Sequence, residues 1–290
     1  MKNKLSFSST ELAITIITTI LGVSFLTLPK NLAVTTGTGD GWISILISGV
    51  IVLLFVTVYT KYVQNHFRSM SILEILEQTK VGKVLSKIFC VFFVIYFILL
   101  ISILIKYLGT IIKIYLLPQT PPEVIISLAV LVIAYMASKG VNGVIHLNLI
   151  FFPITIGILI IMIVLNINNF HFSYVQPILA GGIKPILAGI KETSLSFLGI
   201  ELIFFLMAYI NNEKIALKKI NFSIIIVTLI YTIITLFVYG VFTVETTKEL
   251  LFPTVEMAKE IELQAGVFER LESFLITIWT LTMFNTFSVF

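Results

Sequence analysis

Apolar residues in this chain gather into long unbroken runs rather than alternating with polar ones. The runs cover residues 10–35, 42–64, 84–116, 123–139, 143–165, 186–210, 221–243 and 268–290. A helix needs about 20 apolar residues to cross the hydrocarbon core of a bilayer. Runs that are hydrophobic all round are therefore read as membrane-embedded helices, not as amphipathic surface helices or strands. The pattern predicts an all-α polytopic membrane protein with eight spans. The run at 123–139 is short, and the run at 84–116 must tilt or protrude. No cleavable leader is expected, because the first run is too long for one and lacks a small-residue cleavage site.

Two runs carry interruptions. The first is broken by Gly22-Val23-Ser24 and then Pro29, the sixth by Ser196-Phe197-Leu198-Gly199. Gly22 and Gly199 are 177 residues apart. The starts of the second and seventh runs, near Trp42 and Asn221, are 179 apart. Amphipathic stretches follow both, Ser71–Glu77 and Leu251–Ala258, offset by 180. One shared offset, with five helices per unit, predicts an inverted-topology repeat. The expectation is a single transmembrane domain over 1–290, with a first repeat at 1–165 and an incomplete second at 186–290. A full second repeat would end about 50 residues beyond Phe290 by that offset, so the chain reads as two helices short of ten.

Composition agrees. The chain is 58% hydrophobic and only 12% charged, with a mean hydropathy of +1.08. Soluble domains are about 25% charged, so soluble-enzyme, disordered and nucleic-acid-binding readings fit poorly. The 19 basic residues give a pI near 9 but are scattered, whereas a nucleic-acid groove needs them clustered. One cysteine, Cys90, excludes an internal disulfide and a cysteine-based zinc site. His66, His146 and His171 lie outside any metal-ligand spacing. No HExxH, phosphate loop or nucleophile elbow occurs, so the reading is not an enzyme, with no cofactor or metal.

Loop charge then orients the chain. With a cytoplasmic N-terminus, 11 basic residues fall inside, Lys2, Lys4, Arg68 and Lys214 among them, against 7 outside, including Arg270. Ten carboxylates, Glu262 among them, fall outside and only four inside, including Glu213. That asymmetry predicts a cytoplasmic N-terminus. Two charges remain within apolar runs, Lys106 and Glu201. An intramembrane carboxylate is expensive and points to a cavity, a partner or ion coupling. Lys106 either snorkels or faces inward, where Glu201 would be its counter-ion.

A broken span leaves backbone N–H and C=O groups that need partners in hydrocarbon. Its positive half-helix end suits a carboxylate and its free carbonyls suit an ammonium or sodium ion. Paired breaks would therefore suit a zwitterionic amino acid. The candidate ligand-binding residues are Gly22, Val23, Ser24, Phe25, Phe197, Leu198, Gly199, Glu201 and Thr282. Glu201 and Lys106 are the candidates for ion or proton coupling. Tyr96, Tyr107 and Asn285 are further candidates to line the pocket. The bland alternative for the glycines is close helix packing. Ser71–Lys83 is expected to form an interfacial helix.

At these residues the chain resembles a known family. Gly22-Val23-Ser24-Phe25-Leu26-Thr27-Leu28-Pro29 is similar to the first-helix signature G-x-G-I-L-x-L-P of the spore germination permease family. Ser24 stands where that family usually has its second glycine. Ser8-Ser9-Thr10-Glu11-Leu12, the acidic loop before the eighth run and Phe197–Glu201 also resemble it. The family comprises the B subunits of nutrient germinant receptors, within the amino acid–polyamine–organocation superfamily. The resemblance implies ten helices in two inverted five-helix repeats, with helices one, three, six and eight lining the pocket. It also implies amino-acid sensing in the spore inner membrane together with A and C subunits. A proton- or sodium-coupled amino acid permease is the alternative, because one fold serves both roles.

Overall fold

The computed structural model describes residues 7–67, 70–179, 181–210, 213–261 and 271–289, and among these it is a helical bundle. The helices in order are α1 (Ser9–Ser24), α2 (Leu28–Thr36), α3 (Gly41–His66), α4 (Ile72–Leu76), α5 (Lys80–Tyr115) and α6 (Pro122–Ser138). They continue with α7 (Val141–Leu165), α8 (Ile183–Ser196), α9 (Ile203–Leu206), α10 (Glu213–Glu249), α11 (Pro253–Lys259) and α12 (Leu271–Val289). Lys2, Lys4, Arg68, Glu262, Arg270 and Phe290 lie outside the described residues, as do the side chains of Glu213 and Lys214.

Local sequence explains the boundaries. Ser8 and Glu11 form a capping box at the start of α1, each side chain accepting from the other's backbone N–H at 3.2 and 2.6 Å. Ser71 and Glu74 repeat it at α4. The Thr79 side chain caps α5 through the Gly82 N–H. The expected interfacial helix at 71–83 is thus two elements. Lys80 and Lys83 belong to the first turn of α5, because the Thr79 cap restarts the helix there.

Among the described residues four helices, α3, α5, α7 and α10, are long and apolar enough to cross a bilayer, and the bent pair α1–α2 makes five. Eight spans were expected from the runs. The difference lies in α6, which is only 17 residues long, in the sixth run, which the structure divides, and in α12, where Thr, Asn and Ser interrupt the apolar surface.

Burial separates the helices by place. Over their most apolar windows, 56% of α10 is buried inside the bundle but only 17% of α5. α10 packs along α1, α2 and α3, while α12 packs against α1, α6 and α7. α3 lies along α8, and α2 lies beside α8 as well. Ile51, Leu54 and Val58 of α3 and Val91, Phe92, Ile95 and Leu99 of α5 face outward. Such a surface suits lipid and not water, and the fold is that of an all-α integral membrane protein.

The two amphipathic stretches are placed differently. α4 buries no residue. α11 buries Pro253, Thr254, Val255, Met257 and Ala258, and roofs the bundle end where α2 begins and α5 and α7 finish. The Tyr115 hydroxyl at the end of α5 donates to Glu256 of α11 at 2.5 Å. Lys259 also bonds that carboxylate, at 3.0 Å. The connection after α7 closes on the same roof, with the Asn166 side chain donating to the Met257 carbonyl at 2.9 Å.

Candidate functional site

The first break lies between α1 and α2, whose axes differ by 57°. The backbone turns through residues 25–27, and Pro29 opens α2, where its missing N–H costs nothing. This break exposes carbonyls, and side chains from three other elements donate to them. The Trp279 indole of α12 donates to Gly22 O at 3.2 Å. The Thr254 hydroxyl of α11 donates to Phe25 O at 3.0 Å. The Tyr239 hydroxyl of α10 donates to Pro29 O at 3.1 Å. Ser24 O takes the Thr27 N–H at 3.1 Å, within the turn itself.

The second break follows α8. Gly199 adopts φ +104°, and short 3₁₀ turns at Ile200–Leu202 and Met207–Tyr209 flank the four-residue α9. A side chain at that φ is strained, and a Cβ there would fall 2.6 Å from Thr19 Cγ2 of α1. Glycine is therefore needed twice over, for conformation and for close approach. This break exposes an amide, and the acceptor is local: the Gly199 N–H donates to Glu201 Oε2 at 2.8 Å. The other carboxylate oxygen takes the Tyr96 hydroxyl of α5 at 2.8 Å.

One phenol joins the two breaks. The buried Tyr231 hydroxyl of α10 lies 2.6 Å from Ile20 O on α1 and 3.1 Å from Ser196 O on α8, a bifurcated donor between them. Phe197 packs edge-on against the Tyr231 ring, with centroids 6.0 Å apart.

The candidates from the sequence divide into three groups. Gly22, Phe25, Phe197, Gly199 and Glu201 are buried at the breaks, with Val23, Ser24 and Leu198 half-buried beside them. A Cβ on Gly22 would meet Met283 Sδ at 2.9 Å, so this glycine also serves close packing against α12. Thr282 is buried between α12 and α7, within 3.4 Å of the Thr155 hydroxyl. Asn285, one turn further on, is fully buried, and neither side-chain polar atom has a partner. Asn148 of α7 shares that condition.

Lys106 stands elsewhere. It is exposed on α5, ten residues beyond Tyr96, about 15 Å along the helix. With Tyr107 it lines a cavity that Glu201 does not. The counter-ion expected for Glu201 is therefore replaced by a phenol, which holds a carboxylate without burying a second charge.

Sequence reasoning missed Tyr231, Trp279, Thr254 and Tyr239. The signal was present in part: a tyrosine or tryptophan within an apolar span must find an acceptor. Which acceptor it finds depends on helices more than 200 residues apart, as with Tyr231 and Ile20.

The profile of the spore germination protein family matches residues 6–290. The chain is 30% identical to spore germination protein YndE of Bacillus subtilis over 284 residues, covering 97% of this chain and 77% of that protein. It is 29% identical to spore germination protein A2 of the same organism over 272 residues, covering 94% and 74%. Over 288 residues it is 27% identical to spore germination protein GerLB of Bacillus cereus, covering 97% and 75%. The match spans both breaks and nearly all the helices around them, and it sets the chain among germination-related membrane proteins rather than enzymes: this chain belongs to the spore germination protein family.

Proposed function

We propose that this chain is a nutrient-sensing membrane subunit of a germinant receptor. It binds a small zwitterion, chiefly an amino acid, between the α1–α2 and α8–α9 breaks. The single observation that carries this is the meeting of both breaks at Tyr231, with the buried Glu201 carboxylate closing the second. Carbonyls and a carboxylate suit an ammonium group, and the Gly199 amide suits a carboxylate.

The breaks are packed shut here, with Phe25 and Phe197 each 2% exposed. Binding then requires an opened arrangement, and the ligand acts by favouring it. Swinging Glu201 off the Gly199 amide would free that N–H for the ligand's carboxylate and turn Glu201 toward its ammonium. In this proposal the N-terminus is cytoplasmic, as loop charge suggests, and the protein lies in the spore inner membrane, where A and C subunits read the change.

Spores carrying this chain with its A and C subunits test the proposal with L-alanine as probe. Glu201→Gln is expected to reduce the germination response at unchanged membrane level. An unchanged response overturns the site. Saturable, gradient-driven L-alanine uptake by the chain alone in proteoliposomes would replace the receptor with a permease.

A further inference from the structure

The cavity around Lys106 borders the first break at Thr27, but neither Glu201 nor any other residue of the second break lines it. It measures about 440 Å³ and opens between the first turn of α2, the outer half of α5 and the α10–α11 junction. Thr27, Lys30, Asn31, Lys106, Tyr107 and Thr110 give it a polar wall, while Ile103, Leu251 and Phe252 give it an apolar one. Three sources of positive charge converge on it: the Lys30 ammonium, the Lys106 ammonium and the N-terminal end of the α2 helix dipole. Among the described residues no carboxylate lines it, and none pairs with either lysine. The nearby acid on α11, Glu256, is held by Tyr115 and Lys259.

Two lysines lining one cavity, with no counter-ion among the described residues, raise the local concentration of anions. Asn31, Thr27 and Thr110 supply neutral hydrogen-bonding groups beside them, and the apolar wall accepts a short hydrocarbon body. A zwitterion is disfavoured, because its own ammonium would meet two like charges with no acid to receive it. We propose that this vestibule is a binding site for a short aliphatic carboxylate, distinct in ligand chemistry from the breaks, where Glu201 supplies a negative group. Lys106 and Lys30 hold the carboxylate, and Ile103 and Phe252 pack its chain.

The test is equilibrium binding of butyrate to the full chain in phosphatidylcholine nanodiscs, where no anionic lipid competes. Saturable binding to one site is expected. Lys30→Gln and Lys106→Gln should each weaken it about tenfold, and the double substitution should remove it. The Lys30→Arg/Lys106→Arg double variant keeps both charges and should retain it. Thermal unfolding without ligand checks that the double Gln variant is folded. Unchanged butyrate binding in a folded Lys30→Gln/Lys106→Gln chain overturns the site. Absence of saturable binding by the unaltered chain does the same. Inorganic phosphate or L-alanine binding as tightly as butyrate overturns the assignment to an aliphatic carboxylate.

Discussion

The two helix breaks solve one physical problem with opposite resources. Both leave backbone polar groups in a region with little water, where each must find a partner. The first break presents carbonyls, and its donors come from afar: Trp279, Thr254, Tyr239 and Tyr231 reach it from three elements. The second presents an amide, and its acceptor comes from two residues away, in Glu201. Neutral donors can be buried cheaply on neighbouring helices. A strong acceptor for one amide is a carboxylate, and burying it demands a short tether and a second bond, which Tyr96 provides. The first break is thereby satisfied chiefly by distant donors, whereas the second combines a local carboxylate with the distant hydroxyls of Tyr96 and Tyr231.

The largest test of the contrast sets Gly199 against Gly22. Gly199→Ala is expected to cost about 3 kcal/mol, combining a positive-φ penalty with overlap at Thr19. Gly22→Ala should cost less, about 1 kcal/mol, because its backbone is helical and its tightest neighbour is the flexible sulfur of Met283, so that only the Thr286 hydroxyl at 3.1 Å must give by a few tenths of an ångström. Chemical unfolding in detergent reads both, and equal losses would erase the distinction. Next comes Tyr231→Phe, which strips the shared donor from two carbonyls and should cost about 2 kcal/mol by the same assay. A negligible loss would show that the breaks are not joined there.

Smaller still is Glu201→Gln. The amide oxygen can still accept from Gly199, so a stability loss of about 1 kcal/mol is expected. The germination response should fall well beyond the loss of protein; a matched fall would make Glu201 structural. Tyr96→Phe is the mildest, at about 0.5 kcal/mol or slightly more, since Glu201 keeps its bond to Gly199. If Tyr96→Phe cost more than Glu201→Gln, the tether to α5 and not the local amide would be what holds the second break.

Much of this was legible in the chain. The breaks were marked by Pro29 and Gly199, whose own geometry opens or ends a helix, while Gly22 and Ser196 lie within α1 and α8 just before the turns. Glu201 declared itself because a carboxylate in an apolar run needs a reason. Lys106 was misleading for the same reason: hydropathy places it at membrane depth but says nothing of which face of α5 it occupies. The helix turns it to a cavity with Lys30, far from Glu201. The inverted repeat rests on offsets in the sequence alone.

The sequence by itself determined that this is a helical membrane protein of the germination family, interrupted in its first and sixth runs. The helical, membrane and break readings follow from local quantities, namely run length, hydropathy and the conformational limits of glycine and proline, whereas the family came from the resemblance of Gly22–Pro29 and Phe197–Glu201 to its motifs. Tertiary structure alone decided who satisfies the breaks and what Lys106 faces. Partners such as Tyr231 and Ile20, or Trp279 and Gly22, are more than 200 residues apart. Hydrogen bonds are short and directional, so only the crossing and rotation of packed helices can select them.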